Sequence, residues 1–284
     1  MIISVFPYIE NESVRRLTGD VLSELDRLKC HVYVTQECAG QLPGHHVVYS
    51  KPDKMMEDCD LAIAIGGDGT TLRIAKKAAF YDKCVLGING GRLGFMSGLE
   101  ANELSLLGNV VTGKYKVDKR MMLQADIIIR ENQATETFHC LNDAVVTRGD
   151  YARLIDVNIH CEERPVWDVR ADGVIVSTPT GSTAYSMAAG GPVVSPETDC
   201  FVVTSICPHS LIDRSIVFPS SKALYVRVQN DVDNNSIFTA DGKRPVQIDG
   251  RTVVRISKSP YVARLIKVKP DNFYEILRKK IIER

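Results

Sequence analysis

The chain has 284 residues, room for two domains of about 150 residues each or one large one. Its 35 Lys plus Arg balance 35 Asp plus Glu, and 25% of residues are charged and 44% hydrophobic, an ordinary globular mixture that excludes a disordered chain and a polybasic nucleic-acid binder. No apolar run approaches the roughly 20 residues of a membrane helix, and Met1 to Tyr8 lacks the basic start of a signal peptide, so a cytoplasmic chain with no membrane partner is expected.

Ile2 to Phe6 reads as a strand, and Val14, Leu17, Val21, Leu25 and Leu28 then recur at helical spacing as one apolar stripe. Val32 to Val34, Leu61 to Ile65 and Cys84 to Ile88 continue as strands. The middle one is apolar at every position, as a parallel strand covered on both faces would be. Strand alternating with helix predicts a doubly wound, Rossmann-like α/β sheet.

From about Tyr115 the period changes to two. Ile155, Val157, Ile159 and Cys161 alternate with Leu154, Asp156, Asn158 and His160, and short strands follow in Ala223 to Val228 and Thr252 to Ile256. A helical interruption is expected at Ser182 to Ala189. A last helix, Asp271 to Ile282, carries Phe273, Ile276, Leu277 and Ile281 on one face after Pro270. These patterns predict an α/β domain over residues 1–99 and a β-rich domain over 100–270, with the C-terminal helix, 271–284, returning to the first. The eight cysteines are scattered without C-x-x-C spacing, so neither structural zinc nor disulfides are expected.

Gly66-Gly67-Asp68-Gly69-Thr70 follows the buried strand and precedes a helical pattern with Leu72, Ala75, Ala78 and Ala79. Glycines let the backbone pass close to a ligand, and the helix start offers N–H groups and a positive dipole end to an anion such as phosphate. The segment is neither a P-loop nor the Rossmann fingerprint, because no Gly-Lys-Ser/Thr follows and Leu72 stands where the third glycine would be. The competing reading is a tight turn with Asp68 capping the helix. A second glycine-rich connection, Gly87 to Phe95, also leaves a strand end, so both loops should face one crevice; alternatively it is a flexible link.

In Asp172 to Tyr185 a strand leads into five hydroxyls between Ser177 and Thr183, more than one helix cap requires, which points to phosphate or ribose binding. Asn142-Asp143 has the donors and acceptors to read an adenine edge and a ribose diol, or forms an Asx turn. Tyr185 offers a ring for stacking, although a helical tyrosine is more often core. His209 reads first as a structural histidine and Trp167 as packing.

Together, Gly66-Gly67-Asp68-Gly69-Thr70, Asn142-Asp143, the run Asp172 to Pro192 and Pro208-His209-Ser210-Leu211 resemble the NAD kinase family in content and order, over nearly the whole chain. Lipid kinases and phosphofructokinases are similar at the glycine-aspartate element; Thr178 to Tyr185 favours NAD kinase. The resemblance implies transfer of the ATP γ-phosphoryl group to the 2′-hydroxyl of the adenosine ribose of NAD, with a divalent cation such as magnesium. It implies that Asp68 orients that hydroxyl and accepts its proton, with Gly69 and Arg73 beside it and Gly66, Gly67 and Thr70 at the ATP phosphates. It further implies that Asn142 and Asp143 hold adenosine, and that Thr183, Ala184, Tyr185, Ser186 and Ala188 line the dinucleotide. Arg153, Arg170 and Asp172 would reach phosphate or nicotinamide from a neighbouring part of a homodimer or homotetramer. Two positions depart from the family pattern: Asp143 stands where Glu is usual, and Lys243 where Gln follows Asp-Gly. A lipid or sugar kinase and a catalytically silent dinucleotide sensor remain as alternatives.

Overall fold

The computed structural model describes residues 1–42, 46–91, 94–129, 135–149, 153–210, 213–229, 236–270 and 273–282. Arg92 and Leu93 of the second glycine-rich connection, Leu211 and Asp271 lie outside them, as does the side chain of Ile281. Two units form: residues 1–119 with 263–284, and residues 120–262.

In the first unit the strands β1 (Ile2–Pro7), β2 (His31–Thr35), β3 (Val48–Ser50), β4 (Leu61–Gly66) and β5 (Cys84–Asn89) are all parallel, in the order β3-β2-β1-β4-β5. The Leu61–Ile65 run is buried throughout, as its unbroken apolarity predicts. Helix α1 (Glu12–Arg27) starts where Asn11 Oδ1 accepts the Ser13 N–H at 2.9 Å. It lays Val14, Leu17, Val21 and Leu25 on the core built from Ile3, Val5, Ile63 and Ile65. Helices α2 (Pro52–Asp58) and α3 (Asp68–Ala79) follow β3 and β4. After the short strand β6 (Leu99–Glu100), helix α4 (Leu107–Val111) buries Leu107 and Val110 in the same core. That packing explains why the unit runs on to Lys119, later in the chain than the change of period places the division.

The second unit contains the hairpin β7 (Lys116–Ile129) and β8 (Thr135–Cys140), whose first residues still belong to the first unit, and β9 (Asp143–Arg148), β10 (Ile155–Cys161), β11 (Arg164–Ala171) and β12 (Gly173–Ser177). Helix α5 (Tyr185–Ala188), β13 (Cys200–Ile206), β14 (Ile216–Pro219), β15 (Leu224–Gln229), β16 (Ser236–Ala240), β17 (Lys243–Ile248) and β18 (Thr252–Lys267) complete it. One antiparallel sheet runs β14-β13-β12-β9-β16-β17, and β11, β10, β15 and the start of β18 pair antiparallel in that order. Their inner faces share one core, with Val146, Val174, Phe201 and Phe238 from the former and Val157, Val226 and Val254 from the latter. Trp167 packs against it, as expected. On the other face of the first sheet, Val145, Ile175 and Ile206 meet Ala189, which seats the segment after α5.

From Ala263 the chain is back in the first unit, where the end of β18 pairs parallel with β5. The expected last helix is a short α-helix, α6 (Phe273–Leu277), continued by a π-helical turn over Arg278–Ile282. Phe273 and Ile276 are buried, so the C-terminal segment returns to the first domain as the sequence indicates.

Candidate active site

Asp68 is the first residue of α3, and Gly67 occupies the cap position without any side-chain cap bond. The carboxylate therefore does not cap its own helix, as the simpler reading of the bend would have it. It turns to the second glycine-rich connection: Oδ1 accepts the Met96 N–H and Oδ2 the Phe95 N–H, both at 3.0 Å. Among the described residues no side chain caps the first turn of α3, the condition under which a helix start receives a phosphate.

The two loops are locked to one another. Strands β4 and β5 pair in register to Gly66↔Asn89, so both chains emerge side by side. The Gly90 N–H then reaches Gly66 O at 3.1 Å. The buried Asn89 side chain donates to Glu100 Oε2 at 2.7 Å and accepts the Gly91 N–H at 3.2 Å. The nearly buried Lys267 donates to Ser97 O at 3.1 Å. The described residues of the connection are thus bonded in place and are not a loose link. Gly94 passes so close to Asp68 that a Cβ there would collide with Oδ1 and lie 2.8 Å from Ser97 Oγ; only glycine admits the carboxylate. Gly69 and Arg73 are exposed on the same helix, and Thr70 is partly so. Thr70 sits under Gly66, where an added Cβ would meet its Oγ1 at 2.7 Å.

In the second unit Asn142-Asp143, the hydroxyl-rich turn and the Asp241-Gly242 hairpin come together. Positive φ values at Asp241 (50°) and Gly242 (65°) make the tight connection between β16 and β17. The Asp241 carboxylate accepts the N–H groups of Leu141 at 3.1 Å, Asn142 at 2.8 Å and Asp143 at 3.2 Å. Thr178 donates its N–H to Asn142 O at 2.8 Å and its hydroxyl to Leu141 O at 2.6 Å. Gly181 lies against the Asn142 backbone so closely that a Cβ would overlap it. The side chain of Asp143 is buried at 5% exposure. Loss of water, followed by the adjacent Asp241 charge, pushes its pKa from 3.8 up to about 7.

Within the chain, four of the five hydroxyls read as ligand groups bond within or beside the turn. Thr178 Oγ1 also accepts the Gly181 N–H at 3.1 Å, Ser182 links Pro179 O to the Val194 N–H, Thr183 donates to Thr180 O, and Thr180 faces Arg120. Ser186 is fully buried with its hydroxyl 3.2 Å from Thr204 Oγ1, so it braces the segment. Tyr185, by contrast, is 45% exposed and not a core residue, Ala188 is exposed, and Thr183 and Ala184 are half-buried. Asp172 pairs with Arg148 at 2.5 Å and Arg170 faces Asp156 at 3.8 Å, while Arg153, Lys243 and His209 are exposed.

Sequence reasoning expected the connection Gly87 to Phe95 to face one crevice with the Asp68 loop, but not that its Phe95 and Met96 amides would bind the Asp68 carboxylate past Gly94, nor the clamp made by Asp241, although the Asp-Gly pair was a visible hairpin signal. Among the described residues no three His, Cys, Asp or Glu side chains gather into a metal cluster, and no helix is long and apolar enough to cross a membrane.

Two family models match the chain: the ATP-NAD kinase N-terminal domain over residues 9–115 and the ATP-NAD kinase C-terminal domain over residues 141–268. A NAD kinase of Symbiobacterium thermophilum is 40% identical over 274 residues, 96% of each chain. One from Caldanaerobacter subterraneus is 36% identical over 283 residues, 99% of each. Among solved structures, yeast NADH kinase complexed with NADH matches with a TM-score of 0.89 at 23% identity, covering 100% of this chain and 87% of that one, a likeness of fold. An NAD kinase from Archaeoglobus fulgidus in complex with ATP matches with a TM-score of 0.76 at 26% identity over 100% of both.

Two outcomes are expected from this geometry. Gly94→Ala should displace the Asp68 carboxylate and lower kcat by about a hundredfold, with NAD affinity by calorimetry changed much less. For Asp143, the unfolded chain releases its proton first as pH rises, so stability falls from about pH 4 and the loss is complete above about pH 7. Thermal melts between pH 4 and 8 should show this decline, on the order of a few kcal/mol, in the parent protein and a flatter profile in Asp143→Asn; equal slopes would contradict the assignment.

Proposed function

The chain belongs to the NAD kinase family, and on that premise we propose that it catalyses ATP-dependent phosphorylation of NAD to NADP through Asp68. The ribose 2′-hydroxyl oxygen forms the new bond to the γ-phosphorus, its proton passes to the Asp68 carboxylate, and the bond from the γ-phosphorus to the β,γ-bridging oxygen breaks to release ADP. A carboxylate is a weak base for an alcohol in water. Phosphoryl transfer, however, has a loose transition state in which aligning the attacking oxygen counts for more than removing its proton beforehand. The observation that carries this reading is the pair of backbone N–H bonds that fix Asp68 at the phosphate-receptive start of α3.

The other roles follow the family pattern. Gly66, Gly67 and Thr70 contact the ATP phosphates, with Gly69 and Arg73 beside the acceptor. Asn142 and Asp143 hold adenosine; at neutral pH the buried Asp143 carboxyl is poised to donate a hydrogen bond in its protonated form and to accept one when ionised. Thr183, Ala184, Tyr185 and Ala188 line the dinucleotide, with Ser186 supporting them. Arg153, Arg170, Asp172 and Lys243 reach phosphate or nicotinamide groups. We infer magnesium as the cation, held chiefly through the substrate phosphates it accompanies. When bound it would offset charge on the transferring group. A cytoplasmic homodimer or homotetramer completes the reading on family grounds. A lipid or sugar kinase is not favoured, since both halves of the chain match NAD kinase models.

The test is Asp68→Asn, which is nearly isosteric and uncharged. NAD affinity should stay within about tenfold while most turnover is lost, read by coupling newly formed NADP to an NADP-specific dehydrogenase. Asn can accept only one of the two amide bonds cleanly, so a melting curve accompanies the assay. Turnover near that of the parent would discard the role. Running the assay with NAD against NADH and ATP against polyphosphate defines acceptor and donor.

A further inference from the structure

The reading of Asp68 as proton acceptor leaves open what decides which of its oxygens takes the proton. An ionised carboxylate has about four acceptor directions, two per oxygen. Among the described residues Oδ1 accepts the Met96 N–H and Oδ2 the Phe95 N–H, and the ammonium of Lys280 stands at ion-pair distance from Oδ2, with Nζ 3.5 Å away.

Lys280 comes from the π-helical turn after α6. The segment is anchored by the buried Phe273 and Ile276, and Lys280 follows Ile276 by four residues, one helical turn on. The ring of Phe273 lies 6.0 Å from that of Phe95, and Lys280 Nζ stands 4.4 Å from the Phe95 ring centroid, within cation–π range. Phe95 thus engages the C-terminal segment through its ring and Asp68 through its backbone. The Lys280 side chain is 29% exposed and that of Asp68 35%, so the pair borders solvent while one side of each packs on protein.

We propose that Lys280 is a positioning residue for the transfer: by drawing negative charge onto Oδ2, which the Phe95 amide also engages, it leaves Oδ1 as the oxygen that receives the ribose hydroxyl. The inference rests on the proposed role of Asp68. Without the ammonium the carboxylate keeps both amide bonds, each oxygen holding one, and the two oxygens compete equally for the hydroxyl.

Lys280→Met keeps an unbranched side chain over the Phe95 ring and removes the charge; Lys280→Arg restores it. In Lys280→Met, kcat should fall roughly tenfold or more while KM for NAD and ATP stays within about threefold, and Lys280→Arg should recover most of the loss. A melting midpoint close to the parent's separates this from loosening of the C-terminal segment. In the Asp68→Asn background, whose slow residual rate is read over long incubations, Lys280→Met should cost nothing further. Unchanged kcat in Lys280→Met, a raised KM as the main effect, or an equal loss with and without Asp68 would each overturn the proposal. Parent-like turnover in Asp68→Asn alone would instead remove the premise.

Discussion

A carboxylate at the first position of a helix ordinarily faces solvent or its own helix start. At Asp68 two backbone N–H groups from another loop outcompete both, because their positions are set in advance by the sheet and their bonds to an ionised acceptor are stronger than neutral ones. The order β4-β5 sets the two loops at one end of the sheet, the Gly66–Gly90 bond closes them together, and the missing side chain at Gly94 opens the path. Each requirement is geometric, and failure of any one would leave the acid without a fixed direction. Position at the carboxyl ends of parallel strands is where open α/β sheets place their ligands, and here the fold's own connections supply the clamp.

The second unit solves a different problem, placing polar groups in a buried region. Asp241 collects three consecutive amides and so holds its negative charge where it discourages ionisation of Asp143. Two carboxylates this close divide their duties: one pins the backbone of residues 141–143, the other keeps a carboxyl whose protonation changes near neutrality. The hydroxyls of Thr178 and Ser182 act in the same spirit, satisfying turn carbonyls and amides that burial would otherwise leave unpaired.

Much of this was legible in the sequence because it is local. The unbroken apolar run Leu61–Ile65, the stripe from Val14 to Leu25, the period-two strands and the glycine-bounded aspartate all carry their meaning within a few residues. What escaped depends on partners distant along the chain. The two glycine-rich strand ends place the loops together, but nothing near Asp68 says that the amides of residues 95 and 96 will bind its carboxylate, and nothing near Lys280 says that it will stand beside it. The hydroxyl run shows the limit differently: five hydroxyls in seven residues signalled polar work, but composition cannot distinguish bonds made to a nucleotide from bonds made to the chain's own turns. The division into units followed packing, with α4 held by the core of the first unit although the predicted division falls before it.

The two departures from the family pattern are of unequal consequence for the same reason. Asp143 sits where space is already taken, so a side chain one methylene shorter than Glu changes how far its carboxyl reaches while burial still governs its proton. Lys243 begins β17 directly after the positive-φ pair Asp241-Gly242, with its side chain exposed and its backbone paired with Ala240. The turn's essential bonds are made by the Asp241 carboxylate, not by residue 243. Exchanging an amide for an ammonium there leaves the backbone pairing of the hairpin in place and adds one exposed positive charge, which salt screens. The fold thus tolerates variation at 243 in a way it cannot at Gly94, where even a methyl group would contest the place of the Asp68 carboxylate.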